Sequence, residues 1–478
     1  MAYNHGIRIQ ENPTSVAAPI RSESGVPVVF GTAPVNMAAD PAAAVNKPIL
    51  CNTFAEAQAA LGYSDDYASY TLCQAMDAFF KVFGIAPVVF VNVLDPATHK
   101  TEYTEELTVA AGQAKATKKG VIVNGLTVTD GNSALVAGTD YTTEFEADGT
   151  LVFTVLKEGV GSISVSGHQL DAKAVKAADI IGSVNAETGV ETGMELVRQV
   201  YPKFNLVPNL LLAPGWSSTP EVGISLAAKC EGINGVFSCE CVVDLDTTTV
   251  KKYTDVAKAK TEAGYDVSER MICVWPKVKY AGKIFDYSAF YAAVALYTDA
   301  NNEGVPNLST SNKPLGISAT VLADGTEVVL DTIQANVLNA AGIVTAVNMN
   351  GFKTWGNNTA AYPAVTDPKD RWICCRRFFS WWGNSFITTY FSKVDDPANY
   401  RLIESIVDSE NVRGNSLVSQ GKCAGIKMIY NQEDNPIENI VDGRIVFRQY
   451  LAPYTPAEDI LNILEFDVSM IQAALGGE

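Results

Sequence analysis

Val26-Pro27-Val28-Val29-Phe30-Gly31 is a short apolar run that ends in glycine, which is typical of a buried β-strand. Apolar residues at helical spacing follow in residues 53–61 and 67–83, and residues 87–93 are a second apolar run. Parallel sheets covered on both faces have strands that are apolar throughout, and helices connect their strands. The strand–helix–strand order therefore predicts a mostly parallel sheet with helices on both sides.

The same pattern resumes at about residue 174 and defines the rest of this domain. Strand-like runs at 209–213, 236–243 and 270–275 are separated by helical stretches. A chain of 478 residues is too long for one compact core. We therefore predict an open, mostly parallel α/β core domain formed by residues 26–98 and 171–340.

Residues 99–170 differ in hydrophobic pattern and composition from the segments around them. Short alternating strands are predicted at 121–128, 141–146, 151–156 and 162–166, and helix-forming residues are few. Asp148-Gly149, a favoured hairpin turn, lies between two of these strands. The segment predicts a small β-sandwich domain inserted into the α/β domain.

Residues 341–457 predict a C-terminal α+β domain. Helical spacing covers residues 376–391 and 400–418, and strands are predicted at 424–431 and 444–451. A two-stranded sheet alone is marginal in water. We therefore expect this sheet to receive strands from neighbouring chains, and its apolar positions are Ile426, Met428, Ile445 and Phe447.

Each end of the chain carries an alternating apolar segment with no companion strand beside it. Near the start, Ile7 and Ile9 share one strand face, and within residues 460–468 another face holds Ile460, Leu464, Phe466 and Val468. Unpaired strands readily add to the sheet of another chain. Residues 1–25 and 458–478 are thus predicted to be exchange arms, and the chain to be a building block of a polymer. The overall fold class is α/β (α+β overall), completed by strand exchange.

Charge and cysteine content narrow the possible partners. The formal net charge is −18, which argues against nucleic acid and an anionic membrane as partners. No apolar run is long enough to span a bilayer, and no secretory signal is visible. The nine cysteines lack paired C-x-x-C spacing and are expected to be buried free thiols, as suits folding in the cytoplasm.

One segment departs from this acidic composition. Residues 371–393 contain Arg371, Arg376, Arg377 and Lys393 but no acidic residue, and most of the segment has helical apolar spacing. Either this is a core helix with arginines at its start, or the basic residues face an acidic surface of a partner. Both interpretations remain open at this stage.

The sequence offers no recognisable reaction site. The three histidines, His5, His99 and His168, lack neighbours at metal-ligand spacing, and no phosphate-binding, dinucleotide-binding or nucleophile-elbow motif occurs. Residues 214–219 follow a strand and precede a helix, where either a helix cap or a ligand site is possible; the cap is favoured. We therefore expect no catalytic residues, no metal, no cofactor and no enzymatic activity.

Several segments, taken in order, resemble the contractile-tail sheath proteins of bacteriophages. The most specific run begins with Ala340-Ala341-Gly342-Ile343 and continues in residues 351–359, which end in Trp355-Gly356-Asn357-Asn358-Thr359 and are followed by Arg376-Arg377. The others are Gly31-Thr32-Ala33, residues 54–62, Leu212-Ala213-Pro214-Gly215, Asp442-Gly443-Arg444 and Pro456-Ala457-Glu458. The family's common W-G-x-R-T form has Asn358 in place of its arginine here, so that arginine's role does not carry over.

The resemblance implies a structural subunit that stacks as hexameric rings around an inner tail tube. Each subunit would lend both arms to sheets in adjacent subunits, and a baseplate signal would make the sheath shorten and drive the tube through a target envelope. The implied partners are copies of the chain itself, the tube protein, and baseplate and tail terminator proteins. The implied location is the virion tail, after assembly in the host cytoplasm. From the charge pattern of residues 371–393, our candidates for the tube-facing surface are Arg371, Arg376, Arg377 and Lys393.

Other readings of the sequence remain. A phage-tail-like bacteriocin or a secretion or injection system would use a sheath with the same subunit mechanics. An α/β enzyme without recognisable motifs would need a deep pocket with a strongly shifted titratable group. A surface-layer or adhesion protein would need an export signal, and none is visible.

Overall fold

The computed structural model describes residue 24 and residues 26–131 and 133–476. Its first strand, β1 (Val26–Gly31), is buried along its whole length, as expected for an inner strand. The other elements before the insertion are β2 (Pro48–Cys51), α1 (Phe54–Leu61), α2 (Thr71–Met76) and β3 (Val88–Asn92).

The described part of the segment where the sequence predicts a small β-sandwich contains seven strands. They are β4 (Lys100–Thr108), β5 (Gln113–Lys115), β6 (Val121–Asp130), β7 (Ser133–Leu135), β8 (Tyr141–Phe145), β9 (Leu151–Val155) and β10 (Ser162–Leu170). They form a four-stranded sheet, β4-β10-β6-β7, and a three-stranded sheet, β5-β9-β8. The two sheets share a core of their own, which includes Tyr103 and Phe153.

The predicted hairpin of the insertion forms where expected. Gly149 has a φ of +86° in the turn between β8 and β9, and Glu146 N–H donates to the Thr150 carbonyl at 2.9 Å. The two ends of the insertion lie side by side, because Lys100 pairs with Leu170 across β4 and β10.

The chain then returns to the α/β pattern. Its elements are α3 (Ala177–Ile181), α4 (Val200–Phe204), β11 (Pro208–Leu212), α5 (Pro220–Ala228), β12 (Glu240–Asp244), α6 (Tyr253–Glu262), β13 (Met271–Val274), β14 (Lys277–Tyr280), β15 (Lys283–Phe285), α7 (Tyr287–Ala300), β16 (Ala319–Val321), α8 (Thr332–Asn339), β17 (Ile343–Asn348) and β18 (Phe352–Trp355).

Within the described residues, eight strands form the central sheet in the order β18-β17-β13-β12-β11-β1-β3-β2. The six inner strands are parallel, and the two edge strands are antiparallel to their neighbours. The mostly parallel sheet is as predicted, but its extent is not. The core domain was expected to end at residue 340, whereas β17 and β18 belong to its sheet, so it reaches at least Trp355.

The outer edge of β18 is already occupied. Leu315 N–H donates to the Phe352 carbonyl at 3.0 Å, and Thr354 N–H donates to the Lys313 carbonyl at 3.0 Å. This side of the central sheet therefore offers few backbone groups to a further strand.

The remaining elements form the C-terminal α+β region and the end of the chain. They are α9 (Pro368–Arg371), α10 (Ile373–Tyr390), α11 (Tyr400–Ser419), β19 (Cys423–Ile429), α12 (Ile437–Val441), β20 (Arg448–Pro453) and α13 (Val468–Ala474). Helices α10 and α11 cover the helical stretches predicted there, and β19 and β20 pair in antiparallel fashion.

The second strand of this pair begins later than the sequence predicts. Ile445 and Phe447 precede β20 and are not strand residues. The buried side chain of Asn435 explains the difference, because it accepts from Val446 N–H at 2.7 Å and donates to the Val446 carbonyl at 2.8 Å. These bonds hold the chain around Val446 against the preceding turn instead of in the sheet.

The C-terminal segment also differs from the expected strand. Residues 460–467 have no regular secondary structure, and Val468 begins α13. The predicted N-terminal strand with Ile7 and Ile9 lies outside the described residues.

Candidate assembly surfaces and arm anchors

The sheet formed by β19 and β20 has two strands in the part of the chain that the structure describes. Ile426 and Met428 are buried, and they pack into apolar clusters with side chains of α10 and α11. Their side chains therefore fill the subunit's own core. An added strand would contact this sheet through its backbone edges.

Helix α11 approaches β19 unusually closely at Gly414. A Cβ atom at this position would lie 2.8 Å from the Cβ of Ile426, which is too close for real side chains. Glycine is thus required here by packing, because the backbone of the helix lies directly over the strand.

The segment after β20 is exposed and apolar. Ile460, Leu464, Phe466 and Val468 have between 58% and 87% of their surface accessible, and Leu461 and Ile463 are exposed as well. Scattered exposed apolar residues are ordinary, but a run of this kind marks an interaction site.

Arg371 anchors the start of this exposed segment through Glu458. Its Nη2 atom lies 3.3 Å from Oε2 of Glu458, and Asn357 Nδ2 donates to Oε1 of the same carboxylate at 3.3 Å. Glu458 is thus fixed by two side chains of the preceding region.

The Arg371 side chain is itself held in place. Its Nε donates to Oδ1 of Asn358 at 2.9 Å, and its guanidinium lies over the rings of Trp372 and Tyr362, 4.0 and 4.4 Å from their centres. Asn358, where the resemblance expects an arginine, here accepts a hydrogen bond from one. A cavity of about 630 Å³ lies beside this cluster, and its lining includes several Asn and Ser side chains.

A second arginine, Arg377, is buried together with Asp299. Nη1 of Arg377 donates to Oδ1 of Asp299 at 3.3 Å, and Nη2 donates to Oδ2; both side chains are at most 3% exposed. Burial raises the pKa of Asp299, while Arg377 and the hydroxyl of Ser24 oppose that shift. Ser24 precedes β1 and is itself buried.

Arg376 is also buried and contacts carboxylates of its own chain. Its Nη1 donates to Oδ1 of Asp370 at 2.9 Å, and its Nε lies 3.9 Å from Oε1 of Glu240. Glu240 is buried, and burial raises its pKa.

These positions correct part of the tube-facing prediction. Arg376 and Arg377 are buried and neutralised by the chain's own carboxylates, so they do not form a basic surface. Lys393 follows α10, has 40% of its side chain accessible and lies 3.5 Å from Asp396. Arg371 is partly exposed but paired with Glu458. The interpretation as a core helix with arginines at its start fits this geometry.

Comparison with known proteins finds relatives along the whole chain. A tail sheath protein of Burkholderia phage BcepMu is 27% identical over 494 aligned positions, which cover 99% of each chain. The tail sheath protein of Escherichia phage P2 is 25% identical over 300 positions, covering 60% of this chain and 70% of the relative.

The chain is a homologue of contractile tail sheath proteins. Its role is that of a structural subunit of a contractile sheath, and its relatives are not enzymes. No family model matches this sequence.

Solved structures share the sheath fold. The chain superposes on a chain in the sheath complex of PVC, an extracellular contractile injection system, in its contracted state, with a TM-score of 0.60, 15% identity, and coverage of 98% and 99%. A chain in the anti-feeding prophage (AFP) baseplate gives a TM-score of 0.59 at 14% identity, with coverage of 98% and 100%.

The acidic partners in this sheath chain were not identified from its sequence. Glu458 lies 87 residues from Arg371, and Asp299 lies 78 residues from Arg377. The only available signal for Glu458 was its place in the Pro456-Ala457-Glu458 run, which the resemblance included. Asp299 carried no signal of its own.

The carboxyl edge of the central sheet in this sheath chain has a cavity of about 700 Å³. Asp244 lies there, and its Oδ2 accepts from Ser217 Oγ at 3.0 Å and Ser288 Oγ at 2.5 Å. Burial, with Asp286 nearby, raises the pKa of Asp244 to about 6, and Lys277, which pairs with Asp286, opposes the shift. Ser217 in the 214–219 turn therefore supports β12, and the helix cap residue, Thr219, makes no side-chain capping bond.

The other site predictions for this sheath chain concern cysteines, metals and membranes. All nine cysteines are buried and unpaired. In the described ranges no group of three His, Cys, Asp or Glu side chains could hold a metal ion. No described helix combines the length and the apolar character needed to cross a membrane.

Proposed function

We propose that this sheath subunit polymerises as helically stacked hexameric rings around an inner tail tube. Residues 1–25 and 458–478 of each subunit add strands to the β19–β20 sheets of its neighbours. The observation that supports this most is the combination, in one chain, of an incomplete sheet and an exposed apolar segment. An apolar segment of this kind gains by burial, and a two-stranded sheet gains by extension.

The energies of such links are sufficient for assembly. A strand of five or six residues forms about four to six backbone hydrogen bonds, each worth about 0.5–1.5 kcal/mol net. Ile460, Leu464 and Phe466 are 79–87% exposed, and burying each fully adds about 1.5–3 kcal/mol. Two links per subunit exceed the lower estimates of the cost of association, about 4 kcal/mol.

The sheath acts by shortening. On a signal from the baseplate it contracts and drives the tube through a target cell envelope, and a tail terminator protein closes its other end. The particle we propose is a phage tail, assembled in host cytoplasm, because the relative matched over 99% of the chain is a phage protein. The alternative is a phage-tail-like bacteriocin or an injection system, which the likeness to the PVC chain suggests at the level of fold.

The decisive test targets the arms. We expect deletion of residues 1–20, or the double substitution Leu464→Asp and Phe466→Asp, to give folded subunits that do not polymerise. Both substituted side chains are exposed, so the stability of the monomer should change by less than about 0.5 kcal/mol each.

A matched control separates the arm from general surface hydrophobicity. Ile333 on α8 is 75% exposed, and Ile333→Asp should leave polymerisation intact. Negative-stain microscopy and sedimentation of purified protein, with and without tube, give the readout. Sheaths of normal length from either arm variant would contradict the proposal.

The tube contact is proposed to involve Lys393. Of the four basic residues it is the most accessible, and among the described residues its nearest paired carboxylate, that of Asp396, is 3.5 Å away. Lys393→Glu should reduce co-sedimentation with tube protein, whereas Lys258→Glu, at an exposed position on α6, should not. Equal co-sedimentation of the two variants would remove Lys393 from the contact.

A further inference from the structure

We infer that α13 of one subunit docks on α12 of a second subunit and thereby holds the exchanged C-terminal arm on its sheet. The inference rests on the proposed function, because it concerns the same arm after it has reached a neighbouring subunit. It adds a contact between two helices to the strand pairing proposed above, and it sets the direction in which the arm runs.

Helix α13 has clear start and stop signals but is exposed along its whole length. The Asp467 side chain caps its first turn by accepting from Ser469 N–H at 2.8 Å, and Gly476, with a φ of +77°, follows its end. Ile471 and Leu475 are four residues apart and lie on one face. A helix of seven residues is marginal by itself in water, so this apolar face requires a partner.

Helix α12 has an apolar face that suits α13. Ile437 and Val441 are one turn apart, and 68% and 78% of their surfaces are accessible. No residue of α12 is buried. Ile471 and Leu475 of α13 have the same spacing, so the side chains of one helix can pack between those of the other.

The two faces meet if the arm runs antiparallel to β20. The start of α12 lies at the Arg448 end of β20, because Asp434 pairs with Arg448 and Asn435 bonds to Val446. An arm antiparallel to β20 passes Pro453 first and ends beside Arg448, which brings α13 to α12. An arm in the parallel direction would carry α13 to the opposite end of the sheet.

The length of the segment before α13 suits this path. Residues 460–467 have no regular secondary structure and would span about 26 Å as a strand, at about 3.3 Å per residue. Strand β20 has six residues and spans about 20 Å. The segment therefore reaches past the end of β20 and brings α13 next to α12.

Charge is also compatible with this arrangement. Residues 458–478 contain five acidic residues and no Lys or Arg. Arg444, between α12 and β20, is exposed and forms no ion pair with another described residue, so it is free to pair with Asp467 of the incoming arm. Helix α12 carries Glu438, and Asp442 follows it. Because α13 has no charged side chain, it can lie there without repulsion.

The occupant we propose is the arm of a second copy of this chain. In a single chain both α12 and α13 are exposed. Glu458, at the start of the arm, is held by Arg371 and Asn357 of its own subunit. The apolar face of α12 is therefore open to another subunit. Fold-back of the arm onto its own α12 is the other possible occupant, and the experiment separates the two.

Cysteine cross-linking between two preparations of subunit tests the contact. One preparation carries Ile437→Cys and the other Ile471→Cys, and the nine native cysteines are buried. The two are mixed, assembled on purified tube protein and oxidised, and the products are separated without reductant. We expect a covalent dimer that forms only when both variants are present. Ile333→Cys, at an exposed position on α8, should give no dimer with Ile471→Cys.

A second set of variants reports the direction of the arm. Leu461, near the start of the arm, is exposed, and Ala452 and Arg448 lie on the same face of β20, four residues apart. In mixed assemblies Leu461→Cys should link to Ala452→Cys and not to Arg448→Cys. The opposite pattern would mean a parallel arm and would overturn the inference.

The strength of the contact is given by the subunit concentration at which sheaths form. Ile437→Ala and Ile471→Ala should each raise this concentration about 5- to 30-fold, because each removes apolar surface from the contact. The double variant should raise it by less than the product of the two effects, since residues in contact are not additive. Ile333→Ala combined with Ile471→Ala should give the product. Monomer stability should change little, because all three side chains are exposed.

Removal of residues 468–478 is a check that needs no cysteine. The strand segment of the arm remains, so sheaths should still form, but only at a higher subunit concentration than wild type. Assembly at the wild-type concentration would count against docking of α13.

Two results of the cross-linking would overturn the inference. In one, sheaths assemble and no dimer joins positions 437 and 471. In the other, a chain carrying both cysteines links within itself in dilute solution, which would mean fold-back. Failure of the proposed function would look different, because the Leu464 and Phe466 variants would then form normal sheaths.

Discussion

The side-chain amide of Asn411 pairs with both backbone groups of Met428. Its Oδ1 accepts from Met428 N–H at 2.8 Å, and its Nδ2 donates to the Met428 carbonyl at 3.1 Å. Met428 therefore directs these groups away from β20, toward the outer edge of β19. Helix α11 thus closes part of one edge of the two-stranded sheet, and the edge of β20 is left more accessible to an added strand.

Removing this amide should destabilise the subunit and expose the β19 edge. Asn411→Ala leaves two backbone groups unpaired, and we expect the free energy of unfolding to fall by about 1–3 kcal/mol. We also expect faster aggregation, because a free edge pairs indiscriminately. Urea unfolding and light scattering provide the measurements, with Glu404→Ala on the exposed face of α11 as control. Equal stability of both variants would show that water replaces the amide.

Two helical glycines should respond in opposite ways to alanine. Gly414→Ala should destabilise by about 1–3 kcal/mol, because its methyl group would overlap Ile426. A methyl group on Gly383 of α10 would have no atom of the described residues within 4 Å, so Gly383→Ala should stabilise by about 0.5–1 kcal/mol. Thermal or urea unfolding tests both, and stabilisation by Gly414→Ala would mean that β19 moves away at little cost.

The insertion should be removable. Its ends pair across Lys100 and Leu170, and Asp171 N–H donates to the His99 carbonyl at 2.9 Å. We expect that joining residues 99 and 171 through two glycines leaves the core folded, because the insertion has its own apolar cluster. A cooperative unfolding transition of the shortened chain would agree with this, and a molten product would show that contacts such as Asn36 with the Val121 carbonyl are essential.

The charge on Asp244 should make stability depend on pH. Its pKa in the folded chain is about 6, above the ordinary 3.8, so its contribution is fully present below pH 3.8 and is lost as pH rises through 6. Asp244→Asn lacks this loss. Between pH 5 and pH 7.5 the stability of the Asn variant relative to wild type should rise by about 1 kcal/mol, measured by urea unfolding. A stability difference between the two proteins that does not change with pH would mean that Lys277 stabilises the ionised form of Asp244 in the folded chain.

Local patterns in the sequence predicted the central sheet well. An inner parallel strand is apolar throughout, so β1, β3 and β11 were visible as short runs. β17 and β18 were assigned to the next domain because the sequence around them is irregular and aromatic. They join the core sheet because β17 pairs with β13, about seventy residues earlier, and β18 pairs with β17.

The basic segment shows why the candidate site was harder to predict. Counted along the chain, residues 371–393 hold four cations and no acid. In space, Asp299, Glu240 and Glu458 are brought to it from distant positions. A cluster of charges in the sequence indicates a charged surface only where the fold leaves those side chains exposed.

The exposed C-terminal segment affects how free subunits behave before they assemble. Each free subunit exposes an apolar segment that favours association, and Leu464 within it is 87% exposed. The formal charge of −18 opposes association, because the subunits repel one another. Spontaneous clustering should then be slow at low salt, and a preformed template that lines copies up would dominate nucleation. Free subunits would then accumulate without aggregating and would add only at the end of a growing filament.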